Sequence, residues 1–259
     1  MPQPIQGPIH VKSSALNQPG QDKGIKVTAP AALNNARLRK LGGKIELYEG
    51  LPDFFDKIKR FVATNPEYVQ HEIQVEHYIV STGLRQMVLG SKIAPYVDGV
   101  WGCEFIEDAP PPGYLNAGKK AVSEDPKIIS QIAYALDNTT KTRAVFEINK
   151  GSNKIPDIAV NAMIPDEDRR VPFQNMIYIA DGPSDIPVFS LINQFGGRTF
   201  AVYQPGSSKE FSQVNNLQKQ KRVQSFGEAN YTEDSQTSMW IKNAITEICS
   251  QIVKNRERA

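Results

Sequence analysis

Ile177-Tyr-Ile-Ala-Asp-Gly-Pro-Ser-Asp185 is the stretch that decides the fold. Four apolar or aromatic residues in a row, closed by a turn signal, read as a fully buried strand. Asp181 leaves that strand, Gly182 and Pro183 turn the chain, and Ser184 or Asp185 opens a helix. In an open parallel sheet, ligands bind beyond the carboxyl ends of the strands. Two carboxylates four residues apart across such a turn, Asp181 and Asp185, can share a small cation, directly or through water, as Mg²⁺ prefers. Asp, Gly, Pro and Ser are also ordinary turn and cap residues, so the segment needs company.

The company lies on both sides. Upstream, Ala32, Leu33, Ala36, Leu38 and Leu41 suggest a short helix ending at Gly42-Gly43. Leu51, Phe54, Phe55, Ile58, Phe61 and Val62 form a helical stripe with Pro52 in the first turn. Val75 to Val80 reads as a strand, followed by Ser81-Thr82-Gly83 and a helix over Leu84 to Leu89. Val100 to Phe105 is a second strand, Asp108 to Gly113 a proline-rich loop, and 126–136 an extended piece suited to a hairpin. Lys141 to Lys150 reads as a helix capped by Thr139 or Thr140. A polar loop over Gly151–Phe173 carries the charge cluster Asp166-Glu-Asp-Arg-Arg170, read as solvated surface. Downstream come a helix over Asp185–Asn193, a strand over Thr199–Tyr203, and helices over Ser208–Gln218 and Ser235–Val253. Strands alternating with helices predict an α/β fold, a parallel sheet with helices on both faces.

Composition narrows the classes. The 259 residues are 40% apolar, enough for a core, and the net charge is +2. That balance argues against nucleic acid or an anionic membrane as partner. The two cysteines, far apart, fit a reducing compartment. No apolar run reaches the ~20 residues of a membrane span, and the first residues lack a signal peptide's apolar core. The expectation is a cytoplasmic protein. Residues 1–28, rich in Pro, Gln, Gly and Ser, read as poorly ordered.

Two further motifs bear on chemistry. Ser81, Thr82 and Gly83, a hydroxyl and free N–H groups at a helix start, could seat a phosphate; the plainer reading is a capped turn. Lys141, at the head of a helix, could neutralise a phosphate, although most such lysines are merely exposed.

Taken in order, Tyr78-Ile-Val-Ser-Thr-Gly-Leu84, Thr140-Lys-Thr142 and Tyr178-Ile-Ala-Asp-Gly-Pro-Ser-Asp185 resemble the second, third and fourth motifs of the haloacid dehalogenase superfamily of phosphohydrolases, closest to its phosphoserine-phosphatase-like branch. The resemblance runs from about Leu33 to the C-terminus. It implies a Rossmannoid core over 29–259, with 29–45 as the remnant of a helical cap. It also implies Mg²⁺-dependent hydrolysis of a phosphorylated small molecule. Ser81, with Thr82 and Gly83, would hold the phosphoryl group and Lys141 would stabilise charge. Asp181 would ligate Mg²⁺ and Asp185 the metal or its water. Lys150, in Asn149-Lys-Gly151, competes with Lys141 for the third motif.

The superfamily's first motif, a buried strand ending in Asp-x-Asp, supplies the nucleophile and the general acid. No Asp precedes Asp22, and Gln21-Asp-Lys23 follows no apolar strand. Asp166-Glu-Asp168 falls in the wrong place in the order. The expectation is therefore a sheet without its central first strand and most of its cap, an N-terminally truncated and catalytically impaired enzyme. The alternative is a non-catalytic binding or regulatory relative. A third possibility puts Ile9-His-Val11 or Ile25-Lys-Val27 in the empty slot, with Ser13 or Thr28 near the site.

Overall fold

The computed structural model describes residues 4–8, 33–109 and 127–258. Strand β1 (Pro4–Pro8) comes first. Helices α1 (Asn35–Gly42), α2 (Asp53–Ala63) and α3 (Pro66–Gln70) precede β2 (Gln74–Leu84). Then follow α4 (Arg85–Gly90), β3 (Gly99–Glu107), β4 (Ile129–Tyr134) and α5 (Lys141–Lys150). The C-terminal half runs β5 (Ile177–Ala180), α6 (Ile186–Gln194), β6 (Arg198–Tyr203), α7 (Ser208–Lys219), β7 (Ser225–Glu228) and α8 (Gln236–Arg258).

Hydrogen bonding groups the strands as β1-β2-β3-β4 and β5-β6-β7. Every pair is parallel except β3–β4, which is antiparallel. β1 also packs against β5, so it lies between the two groups. The parallel α/β architecture expected from the alternation of elements is therefore present.

The β5 segment shows why this sequence builds that architecture. All four of its residues are buried. Side chains alternate across a strand, and here both faces are covered. Ile177 and Ile179 join the core formed by Phe54, Phe55 and Ile58 of α2 with Ile241, Ile245 and Ile248 of α8. Tyr178 and Ala180 face the other way, into a second core with Val145 and Ile148 of α5, Val188 and Phe189 of α6 and Val214 of α7. A continuous apolar run is what a doubly covered parallel strand requires.

Two readings need correction, and two features escape the sequence pattern. The sequence pattern places no strand before Ile9, yet Pro4–Pro8 pairs in parallel with β2, from Pro4 opposite Gln74 to Pro8 opposite Tyr78. The slot beside β2 and β5 is thus filled, by a segment whose two prolines and glycine hide it from any strand pattern. Ile9–Val11 and Ile25–Val27, with Ser13 and Thr28, lie outside the described residues, as does the rest of 1–28. The extended piece at 126–136 makes no hairpin of its own, because β4 pairs back onto β3. The loop over 151–173 is also tied down: Lys150 Nζ donates to the carbonyls of Val160 and Ala162, both at 2.7 Å, and Arg170 Nη2 donates to Glu76 Oε1 of β2 at 2.5 Å. Finally, α3 and β7 are too short to have shown a period. No helix among the described residues is long and apolar enough to cross a membrane.

Candidate functional site

β1 lies between β2 and β5, and the ends of both flanking strands reach the head of α5: Asp185 after β5 bonds Lys141, and Val80 of β2 packs with Ala144. Asp181 follows β5 there and is half-buried. Gly182 after it is extended, and a Cβ there would stand 2.6 Å from Gln213 Nε2, the movable end of a long side chain. Pro183–Asp185 make one 3₁₀ turn that delivers Asp185 to the head of α6.

Asp185 does not face the crevice as a free carboxylate. Its side chain is 0% exposed and that of Lys141 is 1% exposed, and Lys141 Nζ donates to Asp185 Oδ1 at 2.8 Å. Tyr178 donates its phenol proton to the same oxygen at 2.5 Å. The Ser184 hydroxyl donates to Oδ2 at 2.8 Å, while Lys141 Nζ also reaches Ser184 Oγ at 3.4 Å. Burial, then the adjacent Asp185, pushes the Tyr178 phenol well above its usual range, so it stays a donor. Lys141 arrives because α5 begins where it does. Asp137 Oδ1 accepts the N–H groups of Thr139 and Thr140, at 2.8 and 2.7 Å, and its carbonyl accepts Lys141 N–H. Neither threonine caps the helix through its own oxygen; Asp137 does that work. These bonds from Thr140 and Thr139 hold the Asp137 carboxyl below the ordinary range.

The sequence-derived candidates thus divide. Lys141, Ser184 and Asp185 are brought together, with Tyr178 as a member that reading missed. Tyr178 gave no signal, since an aromatic in an apolar strand reads as core. Lys150 is elsewhere, clamping the loop after α5. Ser81 is buried at the end of β2, and Val80 beside it packs with Ala144 of α5. Its oxygen accepts the Gly83 N–H at 3.0 Å. That corrects the phosphate seat: Ser81-Thr82-Gly83 remains inside β2 at a register shift against β3. The Gly83 N–H is already used, and α4 begins only at Arg85 with six residues. The exposed Thr82 offers its carbonyl to Cys103 Sγ at 3.3 Å.

Around Asp181 stand two phenols. Burial first, and Asp181 next, raise Tyr48 above the ordinary tyrosine range. Tyr231, fully buried, is raised by burial, then by Tyr48 and Asp181, and its hydroxyl has no hydrogen-bond partner among the described residues. A cavity of about 550 Å³ bounded by Phe173, Phe195 and Arg256 lies at the opposite edge, where β5 and β6 begin, and takes no part in this crevice.

Mg²⁺ does not fit the residues described. Asp185 is buried and already accepts from an ammonium and two hydroxyls, which leaves Asp181 beside the Tyr48 and Tyr231 phenols. Among the described residues no three His, Cys, Asp or Glu side chains are grouped to hold a metal ion.

No family model matches the chain. An uncharacterized protein of Borreliella burgdorferi is 41% identical over 217 residues, which cover 83% of this chain and 72% of the relative. At that identity and coverage the chain belongs to the same family as the Borreliella burgdorferi protein.

Proposed function

We propose that this chain is a haloacid-dehalogenase-like domain that does not hydrolyse phosphomonoesters through an aspartyl-phosphate, and that it works as a binding or regulatory domain. The phosphohydrolase motifs around Ser81, Lys141 and Asp181 motivate the assignment to that superfamily. The observation that carries the non-catalytic reading is β1. Its sequence, Pro-Ile-Gln-Gly-Pro, stands beside β2 and β5, where the superfamily places its first motif, and it has no carboxylate. Asp22 is the first Asp in the chain, fourteen residues beyond the strand end at Pro8 by subtraction (22 − 8). The filled slot favours this reading over an enzyme lacking its central strand.

The charge balance points the same way. Phosphoryl transfer depends on neutralising developing negative charge. Lys141 is already neutralised by Asp185, and Asp181 adds a further negative charge to the crevice. An anionic ligand would find the Ser81 hydroxyl proton and one remaining Lys141 N–H, donors enough for a single phosphoryl oxygen. The purified 259-residue chain should give no turnover of p-nitrophenyl phosphate with Mg²⁺ above an Asp181→Ala control. Turnover that vanishes in that control would overturn the proposal.

A further inference from the structure

We infer that Lys141, Asp185, Tyr178 and Ser184 form a permanent lock between the β5 turn and the head of α5, and that this lock withdraws Asp185 from metal binding. The inference rests on reading this edge as a haloacid-dehalogenase-like crevice, since only that reading makes Asp185 a metal candidate. A carboxylate offers two oxygens with about four lone-pair sites, and three of these are taken. Oδ1 takes the Lys141 ammonium and the Tyr178 phenol; Oδ2 takes the Ser184 hydroxyl. A divalent cation at Oδ1 would meet an ammonium 2.8 Å from that atom. Mg²⁺ also keeps several waters in a strict octahedron, and a carboxylate with no exposed surface has no room for them. Expelling Lys141 instead would leave a buried ammonium without that counter-charge, which is strongly destabilising.

The lock also explains the two hydroxyls. A buried ion pair is tolerable only when its remaining lone pairs and protons are satisfied. Tyr178 comes from the strand, Ser184 from the turn and Lys141 from the helix, so one carboxylate ties three elements together. Tyr178 is a positioning residue in this arrangement, since it acts through Asp185.

Thermal melts of the full chain with added MgCl₂ or EDTA test the lock. The melting temperature should not respond to either. Lys141→Met and Asp185→Leu should each lower it strongly, and the double variant should melt above both, because it buries no unpaired charge. Should the single variants fail to fold, Tyr178→Phe keeps both charges; it should melt below the wild type and ignore Mg²⁺. A saturable rise with MgCl₂ in the wild type that Tyr178→Phe strengthens would overturn the inference, because it would show Asp185 competing for the metal. Single and double variants with simply additive losses would also overturn it. The two proposals fail separately. Metal-free turnover of p-nitrophenyl phosphate would end the non-catalytic reading and leave the lock standing, whereas Mg²⁺ binding without turnover would do the reverse.

Discussion

Lys141 and Asp185 show how little a residue's type says before its burial is known. As a surface pair they would contribute at most about 1 kcal/mol. Fully buried, the pair is weak evidence of stability, but removing one partner strands a charge and costs about 3–5 kcal/mol. The same contrast separates the two cysteines. Cys249 is 0% exposed, and burial pushes its thiol up to about 12. Cys103 is partly exposed and bonded to the Thr82 carbonyl. Thiolate, not thiol, is the nucleophile, so the native chain should react with one equivalent of iodoacetamide at mildly alkaline pH, at Cys103. Two equivalents should react in denaturant. Labelling of Cys249 in the folded chain would contradict its burial on the core-facing side of α8.

At the scale of the element, α5 is held at its start by Asp137 rather than by its threonines. The carboxylate receives two backbone N–H groups and the Thr140 hydroxyl, and in return Thr140 Oγ1 accepts the Asp137 N–H at 2.7 Å. Its folded pKa is depressed, chiefly by Thr140. A depressed carboxyl contributes stability above its unfolded value, 3.8, and loses it as pH falls through the lower folded value. Asp137→Ala should therefore melt below the wild type at neutral pH, and the two melting curves should converge in acid. A gap that persists unchanged below the folded pKa would mean that the side chain matters for packing, not charge. Thr139 and Thr140 looked like caps because hydroxyls are cap-formers, and a sequence window cannot tell whether a hydroxyl or a carboxylate a few residues earlier has its oxygen aimed at the N–H groups. Ser81-Thr82-Gly83 misled for the reverse reason. The glycine promised a turn, but the serine oxygen closes on its N–H and the strand continues to Leu84.

At the scale of the molecule, the parts legible in sequence are those with redundant signals. β5, β6 and the helices around them announce themselves by unbroken apolar runs and turn residues, and the structure places them as read. β1 had no such signal. Pro4 and Pro8 offer no N–H, leaving Ile5, Gln6 and Gly7 as its backbone donors. Its place is set by what surrounds it: β2 on one side, β5 on the other, with α8 packed nearby. An unpaired buried backbone group is costly, so β2 needs a ladder partner, and β5 a strand packed beside it, more than β1 needs to be a good strand. Deleting residues 1–8 should consequently cost more than its own few contacts suggest. Each ladder hydrogen bond lost is worth about 1 kcal/mol, and each group left buried and unsatisfied costs up to about 3 kcal/mol. Hydrogen exchange would locate the damage. Amides of Val75 to Tyr78 and of Ile177 to Ala180 should lose protection together in the shortened chain, while those of β6 and β7, which pair with each other, should lose less. Loss confined to β2 would mean that β1 is only an edge strand of the first group, and the crevice would then be an opening between two separate sheets rather than the top of one.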